Sequence, residues 1–318
     1  MATPSLEIKN ASFKNEQKLF SLQNAYLNFT IFFLYWFAIG VDRVDGWKCI
    51  PEHQTDYCKR LQFKRKTSTQ MPRFHLKSTV TEAFICWKLF RMERVWNEWD
   101  YMSFTQDLGE YHTKRLKRYI DAMPEVYQNH RSLSSAESII YYELKDHSGP
   151  KKFLCEPSGI LSFKRGRHPT GMICDDILKD PAVKLDLSQL IKIERAFVEE
   201  IENMPSEDLH LVGTPQDQED LFHKKSKDPA FDSKIYTAES DPTNKKALWE
   251  SNPKFNWVEL MKKKKANPKM YMKEFMCMPV RSMDAYISLD QINDSIKSRL
   301  KNYSFARVKI KCCCNFIF

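Results

Sequence analysis

The chain is 318 residues long, 42% hydrophobic and 29% charged, with a formal net charge of +9. That length holds one large or two medium domains, and the balance of apolar and charged residues excludes a fibrous, low-complexity or wholly disordered chain. The excess positive charge favours an anionic partner such as nucleic acid or nucleotide, an inference about association and not about fold.

Residues 1–24 are polar and read as a loose arm. From Ala25 to Val41 the chain is apolar apart from Asn28 and Thr30. A spanning helix needs ~20 such residues, so this segment is slightly short, and its aromatic richness suits a helix packed on a core. No stable membrane association is expected. No small-residue cleavage site follows, which argues against a secretory signal. The nine cysteines, with Cys312, Cys313 and Cys314 in a row, lack both zinc spacing and a secreted disulfide pattern. Reduced thiols in a cytoplasm are expected.

Pro51 opens a helix, with proline near its first turn, and Thr67 to Met71 is a strand. The next residues, Met71-Pro72-Arg73-Phe74-His75-Leu76-Lys77-Ser78-Thr79, have the form of a phosphate-binding loop stripped of its glycines. In G-x-x-x-x-G-K-[ST] the lysine reaches the outer phosphates and the hydroxyl takes magnesium. Lys77, Ser78 and Thr79 stand in register, while Met71 and Leu76 fill the glycine positions. Val80, Ala83, Phe84, Trp87 and Phe90 then recur at helical period, so the loop runs into a helix whose N-terminus faces the phosphates.

Tyr101 to Phe104 reads as a second strand, followed by a basic helix near Gly109 to Ile120 carrying Lys114, Arg115, Lys117 and Arg118. That helix reads foremost as a solvated face, with phosphate contact as the alternative. Three short β-rich runs follow at Ile139 to Tyr142, Phe153 to Cys155 and Ile160 to Phe163. Gly171 to Asp176 is an apolar strand ending in two carboxylates, the form that holds magnesium and positions water. Leu209 to Pro215 is a further strand closing on a small polar pair, Gly213 and Thr214. Alternation of strands and helices argues for a mostly parallel, three-layer α/β sheet, with three strand ends meeting at one crevice. Gln216 to Asn244 is polar and charge-dense. Trp249 to Met278 reads as helices that include the run Lys262 to Lys265, and Ala306 to Lys311 starts like a new strand.

The order and spacing of these elements resemble the ATPase portion of the large terminase subunit, the motor that packages DNA into tailed-virus heads. Residues 45 to 280 carry the resemblance. It implies a P-loop NTPase of the ASCE type with an N-terminal helical arm (1–50), an ATPase core (51–240), lid and linker helices (241–300) and the truncated start of a nuclease domain (301–318). In the variant loop, Pro72, Arg73, Phe74, His75, Leu76, Lys77, Ser78 and Thr79 would bind ATP. Gln54 lies 23 residues before Lys77 (77 − 54), which is similar to the family's adenine-reading glutamine. Asp175 and Ser78 would hold Mg2+, and Asp176 would orient the attacking water. Arg73 would sense or neutralise the γ-phosphate. Arg165 in the segment Ser162 to Arg167 would be the arginine finger offered to a neighbour, with Arg167 second. Gly213 and Thr214 would couple nucleotide state to the lid.

The resemblance further implies double-stranded DNA, a portal protein, the small terminase subunit and a homo-oligomeric ring as partners, in the host cytoplasm and transiently on the procapsid. Two departures stand out. The family's carboxylate strand usually ends Asp-Glu, and here it ends Asp175-Asp176. The strand from Ala306 carries no acid, so no nuclease site is assigned. The rival expectation is a weakened or inactive remnant acting as a nucleotide- or DNA-binding assembly protein. A helicase shares the phosphate site but needs further motifs that are not visible.

Overall fold

The computed structural model describes residues 22–37, 51–146, 149–178, 187–217 and 220–279. The arm at 1–21, the expected nuclease strand and the triple cysteine lie outside the described residues.

Helix α1 (Glu52–Phe63) starts behind the extended Pro51 and buries His53, Gln54, Tyr57, Cys58 and Leu61 on one face, the i, i+4, i+8 spacing of an amphipathic helix. It leads into β1 (Lys66–Gln70). After the loop, α2 (Lys77–Arg91), β2 (Trp96–Ser103) and α3 (Gln106–Asp121) follow. Then come β3 (His130–Ser132), β4 (Ile140–Asp146), β5 (Gly149–Gly159), β6 (Gly171–Asp175), α4 (Leu187–Glu199), β7 (Asp208–Gly213), α5 (Leu221–Ser226) and β8 (Asp232–Ile235). The eight strands form one sheet in the order β3-β4-β5-β2-β6-β7-β1-β8. All pairs from β5 to β8 are parallel, and β4 and β3 are added antiparallel at one edge.

Alternation along the strands builds the three layers, because successive side chains point to opposite faces. Met172 and Cys174 of β6 and Leu209 and Leu211 of β7 pack with Ile193 and Phe197 of α4 and Phe222 of α5. Ile173 and Val212 face the other way, onto the cluster of α2 and α3. Strand β1, lying between β7 and the edge strand β8, is polar, Lys-Thr-Ser-Thr-Gln, yet buried. Two of its hydroxyls find partners: Thr67 Oγ1 lies 3.0 Å from His210 Nδ1, and Thr69 Oγ1 accepts from Arg60 at 3.0 Å. Gly171 is required at the start of β6, since a Cβ there would sit 2.5 Å from the Trp99 ring.

The aromatic segment caps the α2 face. Its short helical pieces, Phe29–Ile31 and the π-helical Phe32–Phe37, press Phe29 against Phe84 and Trp87 (5.2 and 5.4 Å between centroids) and Phe37 against Tyr119 (4.6 Å). Trp87 Nε1 donates to the Ala25 carbonyl at 2.9 Å. Among the described residues no helix is long and apolar enough to cross a membrane. The five described cysteines, Cys58, Cys86, Cys155, Cys174 and Cys277, are free and buried.

Several expectations are corrected. Ile160 to Phe163 is a turn and not a strand, closed by Ser162 N donating to the Gly159 carbonyl at 2.9 Å. The physical reason is that β5 pairs with β2 to the last residue of each, Ser103 beside Gly159, which leaves no ladder to continue. The polar stretch 216–244 contains α5, β8 and part of a small antiparallel pair, β9 (Glu239–Asp241) with β10 (Lys246–Ala247). β8 escapes sequence reading because it is an edge strand, and exposed edges tolerate charge. The expected helical stretch 249–278 resolves into turns, then α6 (Trp257–Ala266) and α7 (Pro268–Glu274). Ala238, Ala247, Trp249, Phe255, Leu260, Tyr271 and Phe275 form a separate small core there.

Candidate functional site

The C-terminal ends of β6, β7 and β1 lie side by side, and each delivers part of the site. From β1 the chain turns through Phe74 (φ 65°) and Leu76 (φ 63°), both left-handed, before α2 begins at Lys77. Non-glycine residues in this region cost ~1–2 kcal/mol each, so something must offset the strain. The side chains do. Leu76 packs on the small core of Trp249, Phe255 and Tyr271, Phe74 stacks on Phe255 at 6.2 Å, and buried His75 contacts Phe255 and Trp249 at 5.1 and 6.0 Å. Arg73 N donates to the Glu274 carbonyl at 2.8 Å, and its guanidinium lies 3.9 Å from the Glu274 carboxylate. Where glycines would leave the loop bare, this chain fastens the loop to the 238–278 segment.

β6 ends at fully buried Asp175, and Asp176 follows at φ 50°. Lys77 Nζ lies 3.0 Å from Asp176 Oδ2. Asp176 Oδ1 accepts from Thr214 N at 3.2 Å, and Asp176 N donates to the Val212 carbonyl at 2.9 Å. Met71 N donates to the Gly213 carbonyl at 3.2 Å, so β7 holds both the root of the loop and the second carboxylate. Gly213 lacks a Cβ because one would lie 2.9 Å from Asp176 Oδ1 and 2.7 Å from the Phe222 ring. The amine and two carboxylates, 98 residues apart (175 − 77) in sequence, thus meet at one point.

Electrostatics agree with the geometry. Burial works against a charged Lys77, but Asp176 and Asp175 outweigh it and raise its pKa. Burial pushes Asp175 up as well, opposed by His112, Lys77 and the Ser78 side chain. Asp175 Oδ2 accepts from Tyr101 at 2.8 Å, while Oδ1 is buried without a hydrogen-bond partner. An orphaned carboxylate oxygen beside Ser78 fits Mg2+, which is held by one or two protein oxygens together with substrate phosphates. No cluster of three or more His, Cys, Asp or Glu suited to a metal occurs among the described residues, and such a cage is not what Mg2+ needs.

Gln54 sits beside this region on the first turn of α1, where neighbouring His53 is 5.7 Å from His75. It is fully buried, and both amide atoms lack partners. Thr79 is buried in the first turn of α2, and Pro72 in the loop accepts a bond from His75 N at 3.3 Å. His75 and His53 are pushed down to about 4 and about 3 by burial, so both are neutral imidazoles. Thr214 Oγ1 reaches the Met71 carbonyl at 3.5 Å.

The two arginine candidates separate. Arg165 is exposed, with 78% of its side chain accessible, and pairs with Glu200 at 2.9 Å. Among the described residues no hydrogen bond or ion pair joins it to the phosphate loop of its own chain. Arg167 is mostly buried in a carboxylate nest, 2.6 Å from Glu98, 3.0 Å from Glu156 and 3.7 Å from Asp100. That corrects its reading as a second finger, because a guanidinium spent on three carboxylates is not free to reach a neighbour. The basic helix is likewise occupied: Lys114 pairs with Glu110, Lys117 with Asp121 and Arg115 with Glu82. In the lysine run, Lys262 pairs with Glu259 and Lys264 with Glu239.

Sequence reasoning missed Tyr101, Glu82, His112 and Glu274. One signal was available: Glu82 is an acid set among Val80, Ala83, Phe84 and Trp87 in a helix otherwise apolar there. It is fully buried, with His112 Nδ1 at 2.7 Å and Arg115 at 3.3 Å.

No family model matches the chain, and no curated protein matches it in sequence. Solved structures do. The ATPase domain of the large terminase of Thermus phage P74-26 superposes with a TM-score of 0.51 at 14% identity, covering 71% of this chain and 93% of that one. The large terminase of bacteriophage HK97 gives 0.53 at 13% identity, covering 80% of this chain and 55% of its own. The chain has the fold of a large terminase ATPase domain. The chain spans about half the length of the HK97 protein.

Proposed function

We propose that this protein is an ATP-hydrolysing motor subunit that drives double-stranded viral DNA into a procapsid, the part a large terminase plays. The observation that carries the reading is the convergence of Lys77, Asp175 and Asp176, with Lys77 Nζ 3.0 Å from Asp176, at the mouth of a loop that opens a helix. Phosphoryl transfer asks the protein to fix the phosphates, neutralise charge and aim a water. Pro72, Arg73, Phe74, His75, Leu76, Lys77, Ser78 and Thr79 cradle the phosphates, with Lys77 on the outer pair. Ser78 and Asp175 would hold Mg2+, which would neutralise charge developing on the phosphate oxygens. Asp176 exchanges its contact with Lys77 for the attacking water, and Gln54 reads adenine through its two unsatisfied amide atoms.

Arg73 neutralises the γ-phosphate once released from Glu274. Arg165, exposed and remote from its own loop, acts on the neighbouring subunit of a ring. Gly213 and Thr214 report nucleotide state, and residues 241–300, of which 280–300 lie outside the described residues, serve as lid and linker. Contacts to DNA are phosphate contacts, hence non-specific and salt-sensitive. The portal protein and small terminase subunit are the remaining partners, and assembly takes place in the host cytoplasm on the procapsid.

The decisive experiment is Mg2+-dependent ATP hydrolysis, with and without duplex DNA, by the wild type, Lys77→Ala and Asp176→Asn. Each variant should lose at least ~100-fold in turnover, as expected when a charge-stabilising group is removed; unchanged turnover in both ends the proposal. A second reading is favoured by one observation, the short Asp176 held by both Lys77 and Thr214: a nucleotide-binding assembly protein that turns over slowly or not at all. Calorimetric ATP affinity set beside turnover in a ring-forming preparation separates the two.

A further inference from the structure

Asp175 is anchored from behind, on one side only. Tyr101 OH donates to its Oδ2 at 2.8 Å and lies 3.0 Å from Thr81 Oγ1, which in turn reaches the Ser78 carbonyl at 2.8 Å. His112 stacks on the Tyr101 ring, 5.0 Å between centroids at 25°, and its Nε2 faces the same Oδ2 at 3.9 Å. The other ring nitrogen, Nδ1, is fixed 2.7 Å from Glu82 Oε1, and Arg115 holds that oxygen at 3.3 Å. Glu82, Tyr101 and Asp175 are fully buried. The Tyr101 hydroxyl and His112 Nε2 both approach Oδ2, while Oδ1 is buried without a hydrogen-bond partner.

The asymmetry has a physical consequence. The terminal torsion of an aspartate is broad and nearly two-fold, so a carboxylate bonded to nothing samples many rotations. A phenol bonded to one oxygen, with an imidazole behind the same oxygen, selects one rotation and leaves the second oxygen open to another ligand.

We propose that Tyr101 and His112 are positioning residues that orient Asp175 so that Oδ1 meets the divalent ion of the bound nucleotide, with Glu82 and Arg115 fixing the His112 ring. This rests on the phosphoryl-transfer reading above and assigns that site its supporting shell. The arrangement also ties the ion site to α2 and α3, because Thr81 and Glu82 lie on the helix that carries Ser78 while His112 and Arg115 lie on the next. Outer-shell partners of this kind alter metal affinity by roughly 10- to 100-fold when removed.

The test uses the full chain with Tyr101→Phe, which deletes one hydroxyl and keeps the ring stacked on His112, and with His112→Gln as a second variant. Tyr127→Phe is the control: Tyr127 OH is also buried, but it donates to the Cys86 carbonyl at 2.7 Å and has no link to Asp175. Binding of a non-hydrolysable ATP analogue is titrated against Mg2+ and, separately, measured in chelator. Tyr101→Phe and His112→Gln should raise the half-saturating Mg2+ concentration ~10-fold, with chelator affinity unchanged and the control at wild type. A Mg2+ curve that superposes on wild type overturns the proposal. So does an equal loss with and without Mg2+, which is what simple damage to packing gives. If wild-type binding is itself insensitive to Mg2+, the phosphoryl-transfer reading fails first and carries this one with it.

Discussion

Gly213→Ala is a one-carbon test of whether Asp176 aims the reacting water. The added Cβ meets Asp176 Oδ1 at 2.9 Å and the Phe222 ring at 2.7 Å, against ~3.5–4.0 Å for a relaxed contact between carbons. The ring must retreat by ~1 Å and the carboxylate by ~0.5 Å. Overpacking of this size costs ~1–3 kcal/mol, and most of it falls on Phe222, the closer neighbour. For chemistry the smaller shift is the important one, because a ~1 Å misplacement costs roughly 100-fold. About half that displacement should lower kcat by on the order of 10-fold and leave nucleotide affinity within ~2-fold. The double variant Gly213→Ala/Phe222→Leu separates the effects: it opens the ring side and leaves the carboxylate side crowded. Single-turnover hydrolysis, calorimetric affinity and thermal melting would be read together. Melting should recover in the double variant while kcat stays low. A kcat that is normal in the single variant, or restored by Phe222→Leu, would show that Asp176 does not aim the water.

Three further outcomes follow from the packing. His53, His75 and His210 are held at about 3, about 4 and about 4 by burial, so the folded state keeps them neutral while the unfolded chain takes up protons near pH 6.5. Stability is therefore complete above pH ~6.5 and lost on acidification, by ~2 kcal/mol per histidine at pH 5. Asp100, pushed up to about 6 by burial, acts in the opposite sense and returns ~1 kcal/mol over the same window. Unfolding free energies from urea titrations at pH 7 and pH 5 should differ by the net few kcal/mol, and equal values would contradict the burial. Arg167→Met strands Glu98, Asp100 and Glu156 without their cation and should destabilise by ~3–5 kcal/mol at pH 8. That deficit should shrink toward pH 5 as Asp100, pushed up to about 6 by burial, protonates, and a pH-independent deficit would argue that only packing was lost. Phe29→Ala removes a fully buried ring from Phe84 and Trp87 and should cost ~3–5 kcal/mol. A melting temperature equal to wild type would show that the aromatic segment leaves the core in solution.

Local elements, which chain chemistry dictates at short range, were legible in the residues alone. Lys77 with Ser78 and Thr79 opens α2, the apolar run into Asp175 and Asp176 is β6, and Leu209 to Gly213 is β7, because a strand's apolar run and a helix's 3.6-residue period are written in consecutive residues. Sequence reading failed where a residue's role depends on which neighbour lies across the sheet. Nothing within ten residues of Tyr101 shows that its hydroxyl reaches Asp175, or that Arg167 is enclosed by Glu98, Asp100 and Glu156. Those contacts come from the order β5-β2-β6, which brings Tyr101 to Asp175 and Glu98 to Arg167 across 74 and 69 positions of sequence. The missing glycines were legible as an anomaly, but only the tertiary structure explained them: Phe74, His75 and Leu76 are packed against the 238–278 core. A left-handed backbone is tolerated at Phe74 and Leu76 because distant packing offsets its strain, and that balance belongs to the folded chain as a whole.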